Sequence, residues 1–268
     1  MFCGTSAMGV FEAIILGLIQ GLTEFLPVSS SGHLEIGKAL LGVDAERSLL
    51  FTVLVHGATV LSTLVVFRRD LASLILGIFS KEDNGARSFI AKILVSMAPV
   101  LIVGLFFKPQ VEALFDGHIR FVGLMLWVTA SLLFLATVSR NRGKRIGFVD
   151  ALVIGLAQAV AVVPGISRSG ATIATGLMLG NDRKEVARFS FLMVIIPILG
   201  ANILDIRDYD PGATVDMSWI ALSTGFIAAF LSGWLACRWM IRLVQRGRLS
   251  YFAMYCLLIG ALAIFFAR

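Results

Sequence analysis

Charge is what this chain has least of. Asp, Glu, Lys and Arg make up 15% of its 268 residues, against roughly a quarter in a soluble globular domain. Mean hydropathy is +0.90, so an ordinary water-soluble fold is excluded. Cysteine is nearly absent too. Cys3, Cys237 and Cys256 show no CxxC or other metal-ligand spacing, so neither a disulfide framework nor a thiolate metal site is expected. No basic segment precedes the first apolar stretch, and a cleaved signal is not expected. The 23 basic against 17 acidic residues sit in short loops between apolar runs. Positive-inside bias accounts for them, and no nucleic-acid partner is expected.

What the chain does have is apolar length. Apolar windows centre on about 50–67, 90–107, 120–138, 187–204, 218–237 and 250–267, each near the ~20 residues of a membrane-crossing helix. The expected class is an all-α polytopic membrane protein, one integral membrane domain over 1–268. Arg68, Arg69, Lys81, Arg87 and Lys92 enrich one loop in bases. Arg140, Arg142, Lys144 and Arg145 enrich a second, and Arg238, Arg242, Arg246 and Arg248 a third. By contrast, 205–216 carries Asp205, Asp208, Asp210 and Asp216. Placing the basic loops in the cytoplasm gives six crossings and outside termini, provided 8–42 and 150–180 return to the side they enter from. Those segments read as re-entrant helical hairpins, the first from outside and the second from the cytoplasm. Such backbone is tolerated where it is buried in protein or lines a wet cavity.

The two hairpins are copies. At a constant offset of 138, residues 17–60 align with 155–198 without a gap. The identities include Gly17/Gly155, Gln20/Gln158, Ser29/Ser167, Ser31/Ser169, Gly32/Gly170, Gly42/Gly180 and Asp44/Asp182. Repeat 1 spans about 8–70 and repeat 2 about 150–208, with Arg69-Asp70 still matching Arg207-Asp208. Since the charges orient them oppositely, the expected architecture is an inverted-topology repeat whose broken helices meet tip to tip near the midplane, where a ligand binds.

The tips carry the chemistry. GLTEFLPVSSSGHL at 21–34 and VVPGISRSGAT at 163–173 set ionisable groups inside apolar stretches, where they mark a functional site. Gln20 and Glu24, at i and i+4, share one helix face. Pro27 breaks that helix, and Ser29, Ser30, Ser31 and Gly32 form a helix start suited to an anion, with His33 just beyond. The second tip repeats the design with Pro164, Ser167, Ser169, Gly170 and Thr172, but Arg168 stands at the Ser30 position and Val162 at the Glu24 position. One tip thus offers carboxylate, hydroxyl and imidazole, and the other a guanidinium fork for phosphate. Together they make an anion site with a nucleophile, a proton carrier and a divalent-cation ligand. Plainer roles compete: Glu24 as a structural partner of Arg168, the serines as caps, His33 as a packed core group. His56 reads as packing or site rim, His118 as solvated, and Glu35 and Lys38 as snorkelling outward or paired.

QGLTEFLPVSSSGH and PGISRSGAT together resemble the two signatures of the bacterial undecaprenyl-diphosphate phosphatase family, of the bacitracin-resistance type, and the likeness runs over essentially the whole chain. The resemblance implies six spanning helices plus two re-entrant hairpins in the bacterial cytoplasmic (inner) membrane, with the site facing the outer, periplasmic side. It implies hydrolysis of a prenyl diphosphate lipid to the monophosphate and inorganic phosphate. Ser30 matches the family's proposed nucleophile, or in a variant of the mechanism only binds phosphate while metal-bound water attacks. His33 matches its acid/base, Glu24 its carboxylate and Arg168 its phosphate-binding arginine. Gln20, Ser29, Ser31, Ser167, Ser169, Gly170 and Thr172 would line the substrate, and Glu24 with Gln20 would hold Mg2+ or Ca2+. Gln20 departs from the glutamate of many relatives, and Glu35 stands where an apolar residue is expected. Membrane lipid is an implied partner, and a homodimer is left open.

A transporter or flippase of a prenyl phosphate lipid is the alternative from another class, since inverted repeats with broken helices serve carriers too. The type-2 phosphatidic acid phosphatases share SGH and SR elements but need a histidine six residues after the arginine. Ala174 stands there, and no histidine follows His118.

Overall fold

The computed structural model describes residues 8–43, 49–80, 85–115, 118–207 and 218–266. Cys3, Asp44, Lys81, Asp208, Asp210 and Asp216 lie outside the described residues. Within them the chain is helical, with one isolated bridge between Lys144 and Asn181. The helices are α1 (Val10–Phe25), α2 (Ser30–Leu41), α3 (Leu49–Val66), α4 (Arg68–Phe79), α5 (Ala86–Phe106), α6 (Lys108–Glu112) and α7 (Ile119–Val138). They continue as α8 (Phe148–Val160), α9 (Arg168–Met178), α10 (Arg183–Met193), α11 (Ile195–Arg207), α12 (Trp219–Gln245) and α13 (Ser250–Phe266).

Ala86–Phe106, Ile119–Val138, Arg183–Leu204 and Trp219–Gln245 are long and apolar enough to cross a membrane. A fifth span arises if Leu50–Val66 and Arg68–Phe79, bent by 72°, count as one. α13, at 17 residues, sits at the lower length limit for a span. The outer face is apolar: Phe79, Trp219 and Phe266 are each about four-fifths exposed, which only lipid can cover without penalty. The chain is a multi-pass membrane protein.

With lipid as solvent, helices associate through close van der Waals approach, so small residues mark the crossings. α1 lies along α12, where a side chain on Gly17 would run into the Gly225 carbonyl and one on Gly21 into Ser232. α8 lies along α5 in the same manner, with Gly155 against the Ser96 backbone. Gly17 and Gly155 are repeat partners. Each broken-helix unit therefore leans on a helix from the other half of the chain.

The second unit comes back to where it started. The Arg142 and Lys144 amides, just before α8, both donate to the Gly180 carbonyl at 3.2 Å, and the Asp182 amide donates to Lys144 O at 2.8 Å. The break between α8 and α9 thus sits at the far end of a returning hairpin. The basic loop residues collect at this end. Arg142 packs on Gly180, Arg183 reaches Gly247 in the α12–α13 turn, and Lys92 lies 5.8 Å over the Phe148 ring. Lys144 is anchored to Asp150 at 2.8 Å.

Candidate functional site

Both breaks fall at the prolines and both restart on a serine. α1 ends at Phe25, two residues before Pro27, and α2 begins after Ser29, whose hydroxyl accepts the Gly32 amide at 3.3 Å. α8 ends at Val160 and α9 begins after Ser167, whose hydroxyl accepts the Gly170 amide at 3.0 Å. Ser29 Oγ lies 3.4 Å from Ser31 Oγ, and Ser167 Oγ lies 3.3 Å from Ser169 Oγ. The copies differ at the cap itself. Ser29 has φ of 69°, and among the described residues no other non-glycine has a left-handed φ. At the second tip the corresponding turn falls on Gly165, φ 95°. Strain held at a serine of this kind is characteristic of functional turns.

The tips touch. Ser169 Oγ donates to the Leu26 carbonyl at 3.2 Å, and a side chain on Gly32 would come within 3.1 Å of Gly165 Cα. Thr129, from α7, clamps the second tip: its hydroxyl donates to Gly165 O and accepts from the Ser167 amide, both at 2.9 Å.

Across this junction the reactive groups converge. Glu24 Oε2 accepts from Ser30 Oγ at 2.6 Å and from Gln20 Nε2 at 2.9 Å. The short Ser30 contact is a charge-assisted hydrogen bond that aims the hydroxyl proton at the carboxylate. Arg168 lines the same chamber as Glu24, whereas His56 spends its Nδ1 on the Thr52 carbonyl of its own helix at 2.8 Å. Arg168 Nη1 is buried without a hydrogen-bond partner, so the fork has an edge free for an anion. Glu24, Arg168, Ser169 and Thr172 line one small chamber.

His33 belongs to the same tip but faces elsewhere. Its Nδ1 lies 2.8 Å from the Ser29 carbonyl and its Nε2 lies 2.9 Å from the Tyr255 hydroxyl. Since a carbonyl only accepts, Nδ1 carries a proton, and when the ring is neutral Nε2 accepts from Tyr255. The structure therefore pairs Ser30 with Glu24 and His33 with Tyr255. Glu35 is matched by Lys38 at 3.3 Å, both largely buried, which neutralises the extra carboxylate on α2. His118 is exposed.

The donor set near Glu24 is all oxygen: its carboxylate, the Ser30 hydroxyl and Gln20 Oε1, which is buried without a partner. Among the described residues no group of three or more His, Cys, Asp or Glu converges. One carboxylate with neutral oxygens and phosphate is a set that suits a hard divalent cation, so the residues fit one.

Tyr255 and Thr129 were not signalled by the sequence. Each is one of a few polar residues in an apolar helix outside both motifs, and only the packing of α13 and α7 against the tips reveals it.

Comparison with known proteins finds relatives over nearly the whole chain. The profile of the family described as bacitracin resistance protein BacA matches residues 13–262. An undecaprenyl-diphosphatase of Christiangramia forsetii is 54% identical over 97% of this chain and 99% of its own. One of Bacteroides fragilis is 52% identical over 95% and 97%, and one of Halothermothrix orenii 38% over 97% and 99%.

Proposed function

We infer from a chain that belongs to the bacitracin resistance protein BacA family that its reaction is the hydrolysis of undecaprenyl diphosphate. The products are undecaprenyl phosphate and inorganic phosphate, so the lipid carrier is returned to cell-wall synthesis. The observation that carries the site assignment is the 2.6 Å bond from Ser30 to Glu24 beside the free edge of Arg168.

In the reading we favour, Arg168 and the α2 and α9 amides hold the terminal phosphate, with Ser167, Ser169, Gly170 and Thr172 at one tip and Ser29 and Ser31 at the other. Ser30 Oγ attacks phosphorus in line and passes its proton to Glu24. An O–P bond forms, the anhydride P–O bond breaks, and undecaprenyl phosphate leaves. The proton passes from Glu24 to the departing phosphate, and water then cleaves the phosphoserine, with Glu24 taking its proton and returning it to Ser30 Oγ. His33 is held in one tautomer by Ser29 O and Tyr255. Glu24 and Gln20 would hold Mg2+ or Ca2+, which supplies charge neutralisation for the phosphates.

The finer architecture follows from the same parts. Six crossings with two re-entrant, oppositely oriented hairpins account for the returning α8–α9 unit and its meeting with the first tip. The collected basic loops support a cytoplasmic position for that end by the positive-inside rule, and in our reading the site opens to the opposite, outer face of the inner membrane. Cysteines placed singly at His118 and Arg142 test this: an impermeant reagent outside the cell should label the first and spare the second, and the opposite pattern reverses the orientation.

The deciding assay is phosphate release by purified protein from a long-chain prenyl diphosphate, with and without chelator, beside Ser30→Ala and Arg168→Ala. Chelator-sensitive release lost in both variants supports the reading. A folded wild-type protein that binds the lipid yet releases no phosphate would favour a carrier.

A further inference from the structure

Gln158, in α8, is 1% exposed, and neither its carboxamide oxygen nor its nitrogen has a hydrogen-bond partner. It lines the chamber shared by Glu24, Arg168 and Thr172, and so does Ser190 from α10, whose buried hydroxyl is likewise unpartnered. With Arg168 Nη1, side chains from three helices thus leave four buried polar atoms unsatisfied around one small space. Orphans of this kind are costly singly, and a cluster of them in a native structure calls for an occupant. The space admits about one water molecule, and a water there has ample polar partners.

The internal repeat says what the occupant is for. Gln20 and Gln158 are equivalent, and Gln20 spends its amide on Glu24 four residues on. In the second hairpin the residue four on is Val162, which accepts nothing. The carboxylate is gone, yet the buried glutamine stays, and its amide has turned to the chamber at the edge of the guanidinium. A group with acceptor oxygens that is drawn to Arg168 would meet the Gln158 amide and the Ser190 hydroxyl as it enters.

We propose that Gln158 is a further substrate-binding residue. Its amide and Ser190 Oγ, together with Arg168 Nη1, receive an oxygen of the phosphoryl group undergoing transfer, which displaces a resident water. This rests on the phosphatase reading and adds side chains from two more helices, α8 and α10, to the phosphate cradle. It also gives the second tip a role in grip rather than in chemistry, since no nucleophile or base is placed there.

The test uses full-length protein in detergent. Wild type, Gln158→Leu, Gln158→Glu and Ser190→Ala are compared for KM and for inhibition by inorganic phosphate, with thermal unfolding in the presence and absence of phosphate. Gln158→Leu should raise KM and the phosphate inhibition constant together by roughly ten-fold, the worth of a lost hydrogen bond to a charged group. It should also abolish stabilisation by phosphate. Gln158→Glu should be worse, because its carboxylate claims Arg168 and repels the substrate. Should Gln158→Leu fail to fold, Ser190→Ala carries the test, with a parallel rise of about three-fold or more in both constants. If the folded variants keep both constants within two-fold of wild type, Gln158 is a packing residue and the proposal falls. A wild type that releases no phosphate would instead overturn the underlying activity, so the two failures are distinguishable.

Discussion

The Ser30–Glu24 bond is the most exposed claim, and Glu24→Gln tests it with almost no change of shape. A carboxamide placed as Glu24 is now can still accept from Ser30 through its oxygen, but it cannot take the proton. General-base assistance contributes typically 10²–10⁴-fold, so kcat should fall by about that factor. Glu24→Asp makes the complementary test. It keeps the charge but withdraws the carboxylate by about one C–C bond, ~1.5 Å. That opens the 2.6 Å contact to roughly 4 Å, beyond hydrogen-bond range. The loss of a charge-assisted bond is worth about 1.5–3 kcal/mol, or about 10–150-fold. The assay is single-turnover phosphate release, with thermal unfolding as a check that Arg168 tolerates the change. The refuting result is a folded Glu24→Gln variant whose kcat stays within about three-fold of wild type, which would require another group to accept the Ser30 proton.

Tyr255→Phe removes only the hydroxyl that meets His33 Nε2 at 2.9 Å. A neutral hydrogen bond of about 1 kcal/mol predicts a roughly five-fold loss of kcat/KM, and a loss no greater than two-fold would detach Tyr255 from the reaction. Thr129→Val deletes both contacts that clamp the second tip and strands two buried backbone groups at about 1–3 kcal/mol each. Unfolding should shift down by several degrees, and Cys237 and Cys256, both buried and free, report it through a thiol-reactive dye. An unchanged melting curve would show that the tip holds itself.

Much of the site could be read without coordinates because its parts are local. Pro27 and Pro164 stop their helices, Ser29 and Ser167 cap the next ones, and the i, i+4 spacing that puts Gln20 and Glu24 on one face is seen directly in their hydrogen bond. The repeat likewise foretold that the tips would meet. What the sequence withheld is long-range. Nothing around Thr129 or Tyr255 distinguishes a clamp from ordinary polar filler in an apolar helix. Gln158 was visible as a repeat identity, yet its unpaired state depends on where α10 sets Ser190. Hydropathy also blurred element ends. The window at 50–67 matches α3 to within a residue but gave no sign of the 72° bend into α4, and the window at 187–204 begins inside α10 and hides the break at Val194.

The seating of α1 on α12 has a consequence for the order of synthesis. The surface that receives Gly17 and Gly21 is supplied by Gly225, Ala229 and Ser232, about 200 residues downstream of Phe25. At roughly 5–20 residues per second, a ribosome needs about 10–40 seconds to make that stretch. For that interval α1 lacks its α12 seat and the first hairpin rests on α3 and α7, while α8 reaches its own seat on α5 first. The first hairpin is therefore not fully seated until nearly the last helix arrives.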